Sequence, residues 1–322
     1  MNSFFKTEIC DILDIDYPII QGGMAWVATG ELAGAVSKAG GLGVIGSGNA
    51  PAEIVSQEID KVREITDKPF GVNVMLLSPY VEEVVDLVVE KEVPVVTTGA
   101  GNPGKYIERF LSAGCKVIPV VSSSALARRM ARMKISALIA EGNEAGGHIG
   151  DLTTMTLIPQ IVDSVDIPVI AAGGIADGRG LLASLFLGAQ AVQIGTRFVC
   201  AEECQASNEY KEKIINARDR DAVVSARSTG HPVRSIKNAL TRKLEKLEAK
   251  SASKEEIEKA GEGALRKAAC EGDVDTGSVM AGQISGLINN ILSSEEIIHN
   301  IINEAEEMLQ KTCKEIGEEK YE

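Results

Sequence analysis

The chain alternates between short runs in which apolar residues follow one another unbroken and longer stretches in which they recur every three or four positions. Eight unbroken runs, rich in Val and Ile, fall at 17–21, 41–45, 70–74, 93–97, 116–120, 137–140, 167–171 and 191–194. A strand with one face in water would alternate, whereas unbroken runs are the pattern of parallel strands buried on both faces. Helical periodicity fills the intervals, at 31–39, 52–65, 80–90, 103–113, 124–133, 155–165 and 178–187. Several of these stretches close on a glycine suited to a left-handed helix cap, as at Gly40, Gly114 and Gly188. Strand–helix units repeated eight times predict an α/β fold of the TIM (β/α)8 barrel type, with a doubly wound open sheet as the competitor.

Beyond residue 200 the pattern changes. Residues 208–270 are polar and helical in composition, 272–286 are rich in Gly and Ser, and 294–322 read as an acidic amphipathic helix. The expected organisation is a barrel core over 1–200, a mostly helical insertion over 201–290 covering the barrel mouth, and a C-terminal helix over 291–322 packed outside. The length of 322 residues agrees, since a barrel alone takes roughly 250.

Lys and Arg number 33 against 46 Asp and Glu, a formal charge of −13. That balance argues against a nucleic-acid partner, which needs a net basic surface. The longest apolar stretches are broken by Gly and too short to cross a bilayer, so no membrane role is expected. The first residues lack the basic-then-apolar order of a secretion signal, and the expected location is cytoplasmic. Six cysteines are too few for a disulfide framework and read as reduced thiols.

Active sites of such barrels sit at the carboxyl ends of the strands. Four loops there are rich in glycine: 21–25, 141–148, 171–175 and 193–197. The last two follow the seventh and eighth runs, where backbone amides commonly hold a phosphate. Gly173, Gly174, Gly195 and Thr196 are the candidates. Gln21, Asn73, Thr98 and Gln193 offer neutral amides and a hydroxyl, which suit a ring with many donors and acceptors, so the residues point to a phosphorylated cofactor of flavin type. Of three histidines, His148 alone lies in a glycine-rich loop after a strand, and an imidazole there can exchange a proton near neutral pH. His231 lies in the insertion and could line a lid; His299 is expected to be solvated. Glu141 and Glu144 bracket the His148 loop and read as hydrogen-bonding anchors. No spacing of metal ligands appears, so no transition metal is expected.

Taken together these loops closely resemble the flavin-dependent enoyl-acyl-carrier-protein reductases of the enoyl reductase II type, within the nitronate monooxygenase/2-nitropropane dioxygenase group. The likeness runs almost end to end through IQGGMAWVA at 20–28, DKPFGVNVMLLSP at 67–79, VVTTGAGNP at 95–103, AEGNEAGGHIG at 140–150, PVIAAGGIADG at 168–178, VQIGTRF at 192–198 and GSVMAGQ at 277–283. The resemblance implies FMN in the barrel, with Gly22, Gly23, Met24 and Asn73 along the flavin. Glu141 and Gly146 would border it, and Gly174, Gln193, Gly195 and Thr196 would lie toward the phosphate. His148 matches the family's active-site histidine. Nitronate monooxygenases usually carry Gln where this chain has Glu141, which favours the reductase branch; oxidation of alkyl nitronates with oxygen is the alternative.

The implied reaction is reduction of the trans-2 double bond of enoyl thioesters by NAD(P)H, in a ping-pong scheme through FMN. His148 would polarise the thioester carbonyl or relay a proton. The resemblance also implies an acyl carrier protein as the partner presenting the thioester, a homodimer, and activation by a monovalent cation, K+ or NH4+. A carrier protein with an acidic helix is an awkward partner for a chain of charge −13. Locally, Arg227, Arg234, Lys237, Arg242, Lys243 and Lys246 face only Glu245, a patch of +5 that could receive it.

Overall fold

The computed structural model describes residues 5–318. Its strands are β1 (Ile19–Gln21), β2 (Gly43–Gly46), β3 (Phe70–Met75), β4 (Val95–Gly99), β5 (Lys116–Val121) and β6 (Leu138–Glu141), then a short β7 (Gly147–His148), then β8 (Val169–Ala172) and β9 (Ala191–Ile194). All but β7 form one parallel sheet in the order β1-β9-β8-β6-β5-β4-β3-β2. The two end strands meet through a parallel bridge between Ile20 and Leu42, which closes the sheet into the expected barrel. Runs that contain Pro18, Pro94 and Pro168 enter the sheet only at the following residue, because proline has no N–H to give the ladder.

The closing seam is short, and a side chain reinforces it. Gln21 donates its amide to the Val44 carbonyl at 3.1 Å and accepts the Val44 N–H at 3.1 Å. This pair of bonds has the form of a further backbone rung between β1 and β2. Gln21 is fully buried, so its amide is committed to the seam and does not face a cofactor ring.

Helix α1 (Glu8–Leu13) plugs the amino end of the barrel. Its Ile9, Cys10 and Leu13 join Ile20, Val44, Val95, Ile118, Ile139 and Ile170 in one buried cluster, the barrel interior. Each such side chain contributes roughly 1.5–3 kcal/mol on burial. Seven helices ring the outside: α2 (Gly30–Lys38), α3 (Ala52–Ile65), α4 (Val81–Glu90), α5 (Gly104–Ser112), α6 (Ser124–Ala131), α7 (Thr154–Val162) and α8 (Gly178–Phe186). Alternate strand residues such as Ile19, Val72, Val96, Val117 and Val192 face them in a second cluster. The cap glycines Gly40, Gly114 and Gly188 all take positive φ, as their helix-end positions require.

After β9 come α9 (Thr196–Val199), α10 (Asn208–Ile215), β10 (Ala222–Ser225), β11 (Val233–Ile236), α11 (Ala239–Ala249), α12 (Lys254–Gly261), α13 (Ala264–Glu271) and α14 (Ser294–Glu318). The segment expected to be helical thus also contains a two-stranded ribbon, and β10-β11-β7 form a separate antiparallel sheet. Helix α14 lies outside the barrel against α8 and α2, tightly enough that a Cβ on Gly178 would stand 2.4 Å from the Ala305 nitrogen. His299, on this helix, meets the Tyr17 ring edge-on at 5.8 Å between centroids and is half-buried, where solvent exposure was expected.

Candidate active site

Strand periodicity sets the floor of the site. Above the apolar layer of Val44, Val95, Ile139, Ile170 and Ala191, the next inward positions at the carboxyl ends are Asn73, Thr97, Glu141 and Gln193. Asn73 donates to the Thr97 hydroxyl at 2.8 Å. Thr98 alternates onto the helix-facing side beside Val96, so Thr97 takes the inward place that the sequence reading gave to Thr98; the buried Thr98 hydroxyl has no partner among the described residues.

The loop after β1 closes over this floor. A Cβ on Gly23 would stand 2.3 Å from the Asn73 Cβ, and one on Gly22 would touch the Gln193 side chain at 3.4 Å, so bare backbone passes over both amides. The methionine that follows, Met24, brings its sulfur to 3.5 Å from where a Gly195 Cβ would be. Gly173 and Gly174, after β8, have φ of 94° and 74°. A turn with two consecutive left-handed residues presents its amides to the mouth, and glycine adopts it without strain. The Thr196 hydroxyl accepts the Gly282 N–H at 3.0 Å, so it ties down the 277–283 segment.

That segment explains Gly146. A Cβ there would stand 2.7–2.8 Å from the backbone of Ala281 and Gly282, and Gln283 N–H donates to the Glu144 carbonyl at 3.0 Å. Gly146 therefore lets the 277–283 segment brace the His148 loop. From the other side, Tyr210 donates its hydroxyl to the Met280 carbonyl at 2.8 Å.

The two glutamates diverge. Glu144 is an anchor, accepting the Thr154 N–H at 2.9 Å and the Thr154 hydroxyl at 2.9 Å. Glu141 does not behave as one: no hydrogen bond reaches its carboxyl among the described residues, and burial alone pushes its pKa up to about 7. A carboxyl without compensating donors resists ionisation.

His148 lies on β7, where it pairs with Val233 of β11. Desolvation within the cleft, and then the His231 imidazole, push its pKa below the ordinary histidine value although the side chain stays open to solvent, which favours the neutral ring at neutral pH. Both histidines line a cleft of about 980 Å³, walled by Met75 at the end of β3 and Leu77 just beyond it, by the ribbon, and by α11 and α12. The ribbon residue Arg234 holds this wall in place. It is 4% exposed and binds Asn143, so the basic patch loses one member and becomes five cations against Glu245, or +4. Arg227, Lys237, Arg242, Lys243 and Lys246 are exposed. Sequence reasoning missed the positioning role of Arg234; its place between Val233 and Ile236 was the one weak signal that the segment could be a strand.

All six cysteines are free thiols, and burial pushes Cys200 up to about 12. Among the described residues no cluster of three metal-ligating side chains occurs, and no helix is long and apolar enough to cross a membrane.

Comparison with known proteins agrees with this architecture. The chain is 48% identical to FabK from Thermotoga maritima, whose structure superposes with a TM-score of 0.93, covering 95% of this chain and 98% of that one. A nitroalkane oxidase from Streptomyces ansochromogenes superposes with a TM-score of 0.84 at 27% identity, over 94% and 99% of the two chains. A protein of Staphylococcus saprophyticus named probable nitronate monooxygenase is 36% identical, over 95% of this chain and 99% of its own length. The family model for nitronate monooxygenase matches residues 6–85 and 78–304. Fold, site and likeness together place the chain in the nitronate monooxygenase family, as an oxidoreductase built on a (β/α)8 barrel.

Proposed function

We propose that the chain is an FMN-dependent enoyl-acyl-carrier-protein reductase that uses NAD(P)H to saturate the trans-2 double bond of enoyl thioesters. The observation that carries the reading is the 48% identity to FabK over nearly the whole chain, against 36% to relatives named probable nitronate monooxygenases. The Glu141 carboxyl supports it, as the acid stands where the nitronate branch usually has an amide.

The site fits FMN. Bare glycine backbone crosses two inward amides, a double left-handed turn offers N–H groups beside Gly195, and Glu141 lacks an intramolecular partner. Gly22, Gly23, Met24, Asn73, Glu141 and Gln193 would hold the ring, with Gly173, Gly174, Gly195 and Thr196 toward the phosphate and Gly146 bracing the border. Bound there, FMN supplies the hydride chemistry, and the protein supplies orientation and charge. With its pKa pushed up to about 7, the Glu141 carboxyl keeps its proton in about half of the molecules at neutral pH, and that form offers an O–H rather than a negative charge. The neutral His148 imidazole faces the cleft, where an N–H can polarise the thioester carbonyl and stabilise charge on its oxygen. The same ring can pass a proton toward the α-carbon, with solvent as the other donor.

Acyl carrier protein would dock on the exposed face of α11 and deliver its thioester to the cleft. The same reading carries a cytoplasmic homodimer activated by K+ or NH4+. Anaerobic mixing of the purified protein with NADH, NADPH and a nitronate, followed by visible flavin absorbance, tests it. Bleaching by a nicotinamide cofactor and recovery on adding enoyl thioester is the expected result. Bleaching by nitronate alone would instead establish the nitronate-oxidising alternative.

A further inference from the structure

We infer that the cleft contains a dedicated site for the alkyl tail of the thioester, in the gap between α11 and α12, with Leu240, Leu244 and Ile257 as its wall. The identity of the tail rests on the reductase reading above; the apolar pocket itself rests on geometry. One continuous cavity of about 980 Å³ reaches from His148 to these three side chains. Leu240 and Leu244 stand one helical turn apart on the same face of α11 and are 7% exposed, while Ile257 on α12 is 1% exposed. With Ala264 they form a buried cluster separate from both clusters of the barrel. Four buried side chains are a small core for two helices, and an apolar guest entering from the cleft would enlarge it.

Charge selects among guests. Among the described residues Lys259 is the single Lys or Arg lining the cleft, and Glu255, Glu258 and Glu262 line the same rim. A phosphate-bearing group, such as part of a nicotinamide cofactor, would meet more carboxylates than cations there. An uncharged methylene chain loses nothing at that rim and gains the apolar wall. Each methylene buried adds roughly fourfold to affinity. The α11–α12 gap would therefore set the chain-length preference of the enzyme, remote from the reacting carbons.

The test uses the flavin-loaded full chain and its Leu244→Trp and Leu244→Ala variants, with trans-2-butenoyl and trans-2-dodecenoyl thioesters. Leu244→Trp should lower the dodecenoyl-to-butenoyl ratio of kcat/KM by about tenfold or more, the equivalent of excluding roughly two methylenes. Leu244→Ala should shift the ratio the opposite way, which keeps a readout if the bulky variant folds poorly. Binding of the unreactive dodecanoyl thioester, by calorimetry, should weaken in Leu244→Trp whether or not turnover occurs. No turnover of any enoyl thioester, with this binding pattern intact, would remove the reductase reading and leave the pocket. An unchanged ratio together with unchanged dodecanoyl binding would overturn the proposal. So would a Leu244→Trp effect confined to the KM for NAD(P)H, which would give the pocket to the nicotinamide cofactor.

Discussion

Arg234 grips Asn143 through three hydrogen bonds, two to its backbone carbonyl at 3.0 and 3.2 Å and one to its side-chain oxygen at 2.8 Å. The contact joins the ribbon to the loop that carries His148, five residues further along. Arg234→Ala would leave the half-buried Asn143 acceptors unpaired and should cost about 1–3 kcal/mol of stability. Because the proposed flavin contacts lie on other strands, the variant should bind FMN while losing turnover. Urea unfolding together with the flavin-to-protein ratio checks both halves; loss of flavin in step with activity would argue against a positioning role.

Glu141 makes stability depend on pH in a direction opposite to most carboxylates. Unfolded, it ionises near the ordinary glutamate value; folded, it holds its proton to about 7. The folded state binds more protons between those values, so this group's contribution falls as pH rises through that window, by up to about 1.4 kcal/mol per unit. Glu141→Gln should therefore raise the melting temperature at pH 8 and leave it little altered at pH 4. Equal shifts at both pH values would show that the carboxyl ionises freely in the fold.

His148→Ala should retain bound flavin and reduce enoyl thioester turnover by about a hundredfold or more, the usual range for a proton-transferring group. The imidazole's lowered pKa has its own signature. As pH falls, the unfolded ring takes its proton first, so the group subtracts stability in the acid window below the ordinary histidine value. Titration of the ring resonances by NMR should give a midpoint under that value, and Ala at position 231 should move it upward. A midpoint at or above the ordinary value would show that neither desolvation in the cleft nor the His231 charge acts on the ring.

The exposed cations on α11 predict a salt-sensitive partner. Reversing charge at Arg242 and Lys243 should raise the KM for carrier-bound substrate roughly tenfold and spare a small thioester analogue. The difference should shrink as ionic strength rises, since exposed charges are screened beyond about 8–10 Å. If the carrier-bound and small substrates respond alike, docking occurs elsewhere.

Much of the fold was legible because buried parallel strands leave unbroken apolar runs, and each of the eight barrel strands overlaps one of them, six running one or two residues past its end. The helix Ala52–Ile65 was readable to both ends, as its single apolar stripe of Val55, Ile59 and Val62 is clear. The ribbon was not legible, because β10 and β11 are only four residues each, mix polar with apolar residues, and the pairing of β11 with β7 is set by tertiary contacts. The glycine loops and His148 could be placed from sequence, since turns and strand ends announce themselves locally. Thr97 against Thr98 could not, because which residue points inward depends on strand register. Gln21 looked like a ring-facing amide, and only the closing of the barrel shows its bond to Val44. Arg234 counted as surface charge until the ribbon buried it.

Seven of the barrel's interfaces rest on repeated main-chain pairing, and the eighth, between Ile20 and Leu42, has one bridge supplemented by the Gln21 carboxamide. Backbone pairing survives almost any substitution, whereas this interface draws two of its hydrogen bonds, those to Val44, from one side chain. A carboxylate at position 21 would keep the acceptor and forfeit the donor, turning toward the Val44 carbonyl a lone pair instead of a proton. Beside the Gly22–Gly23 crossing, the seam is thus a place where the cylinder's closure is sensitive to a side chain as well as to the main chain.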